Sequence, residues 1–298
     1  MCELTTAEKN IIKKDVGVGN QVLYDLCKNY PLINDKTEKI DALAAQLWLI
    51  GRAYAASPER RDYGEKINWK NSGNGLDTYF DLLSEKLCNE YSQTLENIVN
   101  SLSELGKYQL KNESIDKDIK ILSTVINSVI EFNKLLKKIR FSVDKDDIST
   151  HVNEDNKKIT SIENNQKNII SFSSKFLHFH FPNIVFIFDS ITKSHFKGYG
   201  NPYNFKFKNE TSKVKFYKSE NKKEKAEDLS VSQVEKMLSL SNFSSQEKEY
   251  ATHCIREYLL AKAIYKFHSE NNLSDDIFAD KYIPRVIDTY MLIANSNT

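Results

Sequence analysis

Apolar residues recur along most of this chain at intervals of three and four, the spacing that gathers side chains on one face of an α-helix. Ile40, Leu43, Ala44, Leu47 and Ile50 form one such stripe, introduced by Pro31 and Asp35. Leu122, Val125, Ile126, Val129, Ile130 and Leu136 form a second. The pattern predicts one or two short helices over residues 5–30, hinged near Gly17 and Gly19, then the helix after Asp35. Further helices are expected over about 76–92, 93–110, 115–140 and 146–170, and again over 230–240, 245–271 and 280–294. Gly17-Val-Gly19 follows no strand pattern, which favours a flexible turn over a phosphate loop. Asn204-Phe-Lys-Phe-Lys208 and Val214-Lys-Phe-Tyr-Lys218 alternate around Asn209-Glu-Thr-Ser212, which reads as a two-stranded hairpin. The expected fold is therefore all-α: a two-lobed helical body with a small lysine- and aromatic-rich β-hairpin insertion. The expected lobes are residues 1–170 and residues 171–298.

Composition supports helix, because Gly and Pro number only 9 and 5 in 298 residues. The 42 basic and 41 acidic side chains nearly cancel, so whole-chain charge points to neither nucleic acid nor membrane. Charge is uneven, however. Residues 197–225 hold nine lysines against three glutamates, a net +6, leaving −5 for the rest of a chain whose total is +1. Cys2, Cys27, Cys88 and Cys254 lie far apart without a CxxC pair, as expected of reduced thiols in a cytoplasmic protein rather than a zinc site. No apolar run approaches membrane length, and the N-terminus lacks the pattern of a signal peptide.

The chain is organised around Ser171–Phe196. The Ser171, Ser173 and Ser174 cluster is expected to cap a short, very apolar helix, with Lys175 in its first turn, where the helix dipole offers a cation nothing. Pro182 stops that helix. Five apolar residues, Ile184–Phe188, then deliver Asp189 to the mouth of a new helix running through His195. Such an acid can be a rigidly held functional group or a plain N-cap.

Two other regions carry candidate chemistry. Arg52, Arg60 and Arg61 are three of only six arginines, set among small residues and near Tyr54 and Tyr63. Arginine suits forked contacts to phosphate or carboxylate, and equally suits internal salt bridges. In the basic insertion, Lys206, Lys208 and Lys215 alternate with aromatic side chains. Lysines neutralise phosphates while rings stack on bases; the other reading is a solvated insertion with lysine-rich edges.

The run from Lys175 through an apolar helix, Pro182, an apolar stretch and Asp189-Ser-Ile resembles the active-site segment of the helix-hairpin-helix DNA glycosylases. The resemblance spans about 25 residues and implies a divergent bacterial member of that superfamily, acting on a damaged base or on a hypermodified base such as phage DNA carries. It implies Asp189 as the essential carboxylate and Lys175 as a nucleophile. The sequence departs from the family in a Lys-to-Asp gap about one helical turn shorter and in having no Gly-x-Gly before Lys175.

The resemblance further implies DNA as partner, no cofactor, no metal, no membrane and a monomer. Ser173, Ser174, His178 and Lys193, with the arginines, tyrosines and lysines above, would contact the nucleic acid. A fixed carboxylate would stabilise the oxocarbenium-like sugar that forms as the base departs, and Lys175 as free amine could attack the sugar carbon. Metal binding by His178 and His180 is disfavoured, because on a helix they point about 200° apart. The Arg-x4-His pair of many helical ribonuclease toxins is absent. The rival expectation is a non-catalytic helical module that binds nucleic acid or protein, in which Asp189 is only an N-cap.

Overall fold

A computed structural model describes residues 18–30, 33–53, 78–108, 110, 115–151, 169–189, 205–208, 215–218, 231–240, 243–270 and 282–288. The described chain is mostly helical. Its helices are α1 (Val18–Asn29), α2 (Lys36–Ala53), α3 (Thr78–Asn89), α4 (Ser92–Ser103), α5 (Ile115–His151), α6 (Ile170–His180), α7 (Val231–Met237) and α8 (Ser245–Glu270). A further short helix covers 283–288. Two four-residue segments, Phe205–Lys208 and Lys215–Lys218, pair antiparallel with Phe205 opposite Lys218.

Local chemistry explains several boundaries. Asp35 Oδ1 accepts from the backbone N–H groups of Thr37 and Glu38, both at 2.9 Å, and so caps α2. Ser244 and Glu247 form a reciprocal capping box ahead of α8, with Ser244 N–H donating to Glu247 Oε2 at 2.8 Å. Helix α7 ends with Leu238 N–H on the Val234 carbonyl and Ser239 N–H on that of Lys236, and Ser239 takes the left-handed conformation at φ 53°. Helix α6 ends at His180, two residues before Pro182.

Three expectations are corrected. Helix α5 continues from Ile115 to His151 without the expected break between 140 and 146, since that interval holds neither Gly nor Pro and polarity alone does not end a helix. The helix expected over 93–110 ends at Ser103. Helix α6 starts at Ile170, so the serines lie inside it rather than ahead of it. Ser173 Oγ donates back to the Ile169 carbonyl at 3.2 Å and Ser174 Oγ to that of Ser171 at 3.0 Å. Lys175 is consequently the sixth residue of α6, beyond its first turn.

The chain divides into two compact units, each discontinuous in sequence. One comprises 22–101 and 128–180. Its core joins Leu43, Leu47 and Ile50 of α2 to Phe80 and Leu83 of α3 and to Phe132 of α5, which stacks on Phe176 of α6 at 4.8 Å. The other comprises 1–21, 102–127 and 181–298. Its core is built on α8, where Tyr250, Ile255, Tyr258 and Leu259 are wholly buried, with Leu122 and Val125 of α5 and the apolar run Ile184–Phe188.

Candidate functional site

In the unit built on α8, the residues before Asp189 are clamped at several points. Ile184 to Phe188 are all buried, without regular secondary structure beyond the turn at Ile184, so their backbone groups need partners from elsewhere in the fold. Tyr108 Oη donates to the Ile184 carbonyl at 2.9 Å, and the Tyr108 ring lies 5.5 Å from those of Phe186 and Tyr258. His253 of α8 lies with Nε2 2.9 Å from the Ile187 carbonyl oxygen. A carbonyl only accepts, so Nε2 carries the proton. Phe188 meets the rings of Tyr250 and His253 edge-on at 5.8 and 5.2 Å. Asp189 follows directly, half-buried and in contact with neighbours. The helix expected to begin at Ser190 lies outside the described residues.

Behind this segment sits a buried polar cluster that the sequence did not single out. Glu257 is one turn beyond His253 on α8 and fully buried, with Oε1 3.2 Å from His253 Nε2. That nitrogen's single proton is directed at Ile187, and neither Glu257 oxygen gains a hydrogen bond among the described residues. Burial, reinforced by the negative charge of Asp288, pushes the Glu257 carboxyl up to about 7, although His253 opposes the rise. Burial disfavours a charged His253, but the adjacent Glu257 carboxylate, the Ile187 carbonyl and Asp288 outweigh it and raise its pKa. Asp288 itself is held by Arg285 at 3.0 Å.

Deeper in the same unit, Tyr258 Oη donates to the buried Asp118 Oδ2 at 2.6 Å, and Lys262 Nζ lies 3.9 Å from the same oxygen. His253 and Glu257 could have been noticed as an i, i+4 pair of opposite type on α8. Their meeting with Ile187 depends on packing between distant segments.

The remaining candidates are placed as follows. Lys175 belongs to the other unit, is only 4% exposed and is engaged with neighbours. Helix α6 buries nine of its eleven residues, so it is enclosed nearly all round rather than presenting one face. Ser173, Ser174 and His178 share that burial, and Tyr24 Oη lies 2.8 Å from His178 Nε2. His180 is enclosed by Phe176 and Tyr30, with ring centroids at 4.6 and 5.8 Å, and burial lowers its pKa to about 4.

Arg52 falls in α2 with only its backbone described, and Lys206, Lys208 and Lys215 lie on the paired segments. Tyr54, Arg60, Arg61, Tyr63, Lys193 and His195 lie outside the described residues. Among the described residues no group of His, Cys, Asp and Glu could hold a metal ion, and no helix is long and apolar enough to cross a membrane. Comparison with protein-family models, with curated proteins and with solved structures finds no match for this chain.

Proposed function

We propose that the chain is a DNA glycosylase that cleaves the N-glycosidic bond of a damaged or modified base, with Asp189 as the stabilising carboxylate. The observation that carries this reading is the clamping of Ile184–Phe188 by Tyr108 and His253, which delivers Asp189 from a segment with little freedom to move. Preorganisation is what electrostatic catalysis requires, since a fixed charge pays no reorganisation when the transition state forms. The bond's electron pair leaves with the base, positive charge develops at the sugar C1′ beside Asp189, water adds there and its proton is released. In this reading the body is two-lobed and the basic insertion at 197–225 follows the DNA backbone. The protein acts as a cytoplasmic monomer without a cofactor, on the flipped base of damaged or phage DNA. Lys175 forms a covalent imine only if α6 opens to expose it, because at 4% exposure it does not reach solvent.

The test is Asp189→Asn, which keeps a capping oxygen and removes the charge. Stability should change by about 1 kcal/mol or less. Release of the base from duplexes carrying normal, damaged and hypermodified bases, read as alkali-labile sites, should fall by about 10²-fold or more. Borohydride trapping that Lys175→Ala abolishes would assign the amine. A panel in which no duplex yields an abasic site would sink the reading.

The second reading is a non-catalytic helical module that binds nucleic acid or protein. It is favoured by the burial of Lys175, Ser173, Ser174 and His178, which gives α6 a structural role. Under it Asp189→Asn changes neither binding nor any activity.

A further inference from the structure

The unit formed by 22–101 and 128–180 holds a cavity of about 280 Å³ where the start of α2 meets α3 and α4. Its apolar wall is made by Leu87 of α3 and by Leu95 and Val99 of α4. The Tyr30 hydroxyl and the Cys88 thiol, 3.9 Å apart, form a second wall. Lys36 and Lys39 stand at the rim, three residues apart and therefore on one side of α2. Lys39 Nζ is held 5.4 Å above the Tyr30 ring, which fixes one cation beside the cavity. Glu96 is the one acidic lining residue. Among the described residues Lys36, Lys39 and Glu96 form no ion pair, so the rim keeps two cations against one carboxylate.

We propose that this cavity binds a small organic monocarboxylate with a compact apolar body. The apolar wall takes the body out of water. Lys36 and Lys39 receive the carboxylate as charged donors, and the excess of one positive charge matches a monoanion. The volume limits the body to about the size of one or two fused rings, since pockets for larger, drug-sized ligands begin near 300 Å³. None of the cavity's lining residues belongs to the Asp189 segment, and the inference does not rest on the glycosylase reading.

The test uses 1-naphthoate as probe, with 1-naphthylmethylamine as the same ring system carrying the opposite charge. Calorimetric titration of the full chain should show one site for naphthoate, weakened by added salt, and far weaker binding of the amine. The double variant Lys36→Gln with Lys39→Gln should bind naphthoate about tenfold more weakly while its thermal midpoint stays close to that of the native chain.

Cys88 localises the effect, because it is half-buried in the cavity wall whereas Cys27 and Cys254 are buried. Saturating naphthoate should slow its alkylation by iodoacetamide, followed by mass spectrometry of the Cys88 peptide, by about fivefold or more in proportion to occupancy. Equal binding of the amine, unchanged affinity in the double variant, unprotected Cys88 or no binding at all would each overturn the proposal.

Discussion

Replacing Glu257 by glutamine removes a buried negative charge while keeping the side chain's shape, and its effect on stability should depend strongly on pH. The carboxyl stands at about 7 in the folded protein against an ordinary 4.5, chiefly because burial disfavours its ionised form. At about 1.36 kcal/mol per pH unit, ionising it in place costs about 3 kcal/mol. The group's pKa is raised on folding, so its favourable contribution is complete below pH 4.5 and is lost as pH rises through 7. His253 is also raised and acts in the same direction; in the variant, burial is no longer opposed by Glu257, so a protonated His253 becomes costly at low pH. His180 works the other way. Its lowered pKa gives stability above pH 6.5 that is lost as pH falls through 4.

The wild-type profile mixes these contributions, but comparing variant with wild type at each pH cancels His180. Urea unfolding at pH 4.5, 6, 7 and 8 should show the variant gaining on the wild type by about 3 kcal/mol from the lowest pH to the highest. A difference independent of pH, or one in which the wild type gains as pH rises, would refute the assignment of Glu257 as an ionisable group trapped without a hydrogen bond.

Three further outcomes can be checked. Tyr108→Phe leaves the buried Ile184 carbonyl without its 2.9 Å donor and should cost about 1–3 kcal/mol in chemical denaturation, because the oxygen loses water and partner together. Ser239→Gly relieves a left-handed residue at φ 53° and should raise stability by about 0.5–1 kcal/mol, measured as a shift in the denaturation midpoint. Deleting residues 204–225 should weaken DNA affinity and flatten its dependence on salt; an unchanged slope in a salt titration would mean the basic insertion does not touch phosphate.

The helical body was legible wherever one periodicity served one buried face. Leu43, Leu47 and Ile50, and Leu122, Val125, Ile126 and Val129, were read as stripes and are buried as stripes. Boundaries were less legible. The serines before Lys175 suit an N-cap by residue type, yet Ile170 already belongs to α6, and the Ser173 and Ser174 hydroxyls each find a carbonyl about one turn back. Asp189 could be picked out as an acid delivered by an apolar run, but what steadies that run could not. The Ile187 carbonyl is met by His253, 66 residues further along the chain, and Glu257 owes its raised pKa to enclosure rather than to any neighbour in sequence. Lys175 was read as an active amine from the resemblance of its segment to the glycosylases, despite a shorter gap to Asp189, whereas its burial follows from the packing that encloses nine of the eleven residues of α6.

The contact between Tyr24 and His178 has a consequence for how the chain is made. These residues are 154 positions apart, and Tyr24 also lies against Phe179, with ring centroids at 4.8 Å. During synthesis at about 5–20 residues per second, α1 leaves the ribosome roughly eight to thirty seconds before α6 exists to meet it. Until then Leu23, Tyr24 and Cys27 have no complete core to enter. The nascent chain must therefore keep the apolar face of an amphipathic helix out of other company for about half of its own translation, and a message truncated before codon 170 would release a product that cannot close this unit. Slowing elongation between the emergence of α1 and that of α6 lengthens the exposure, while slowing it after α6 has emerged does not.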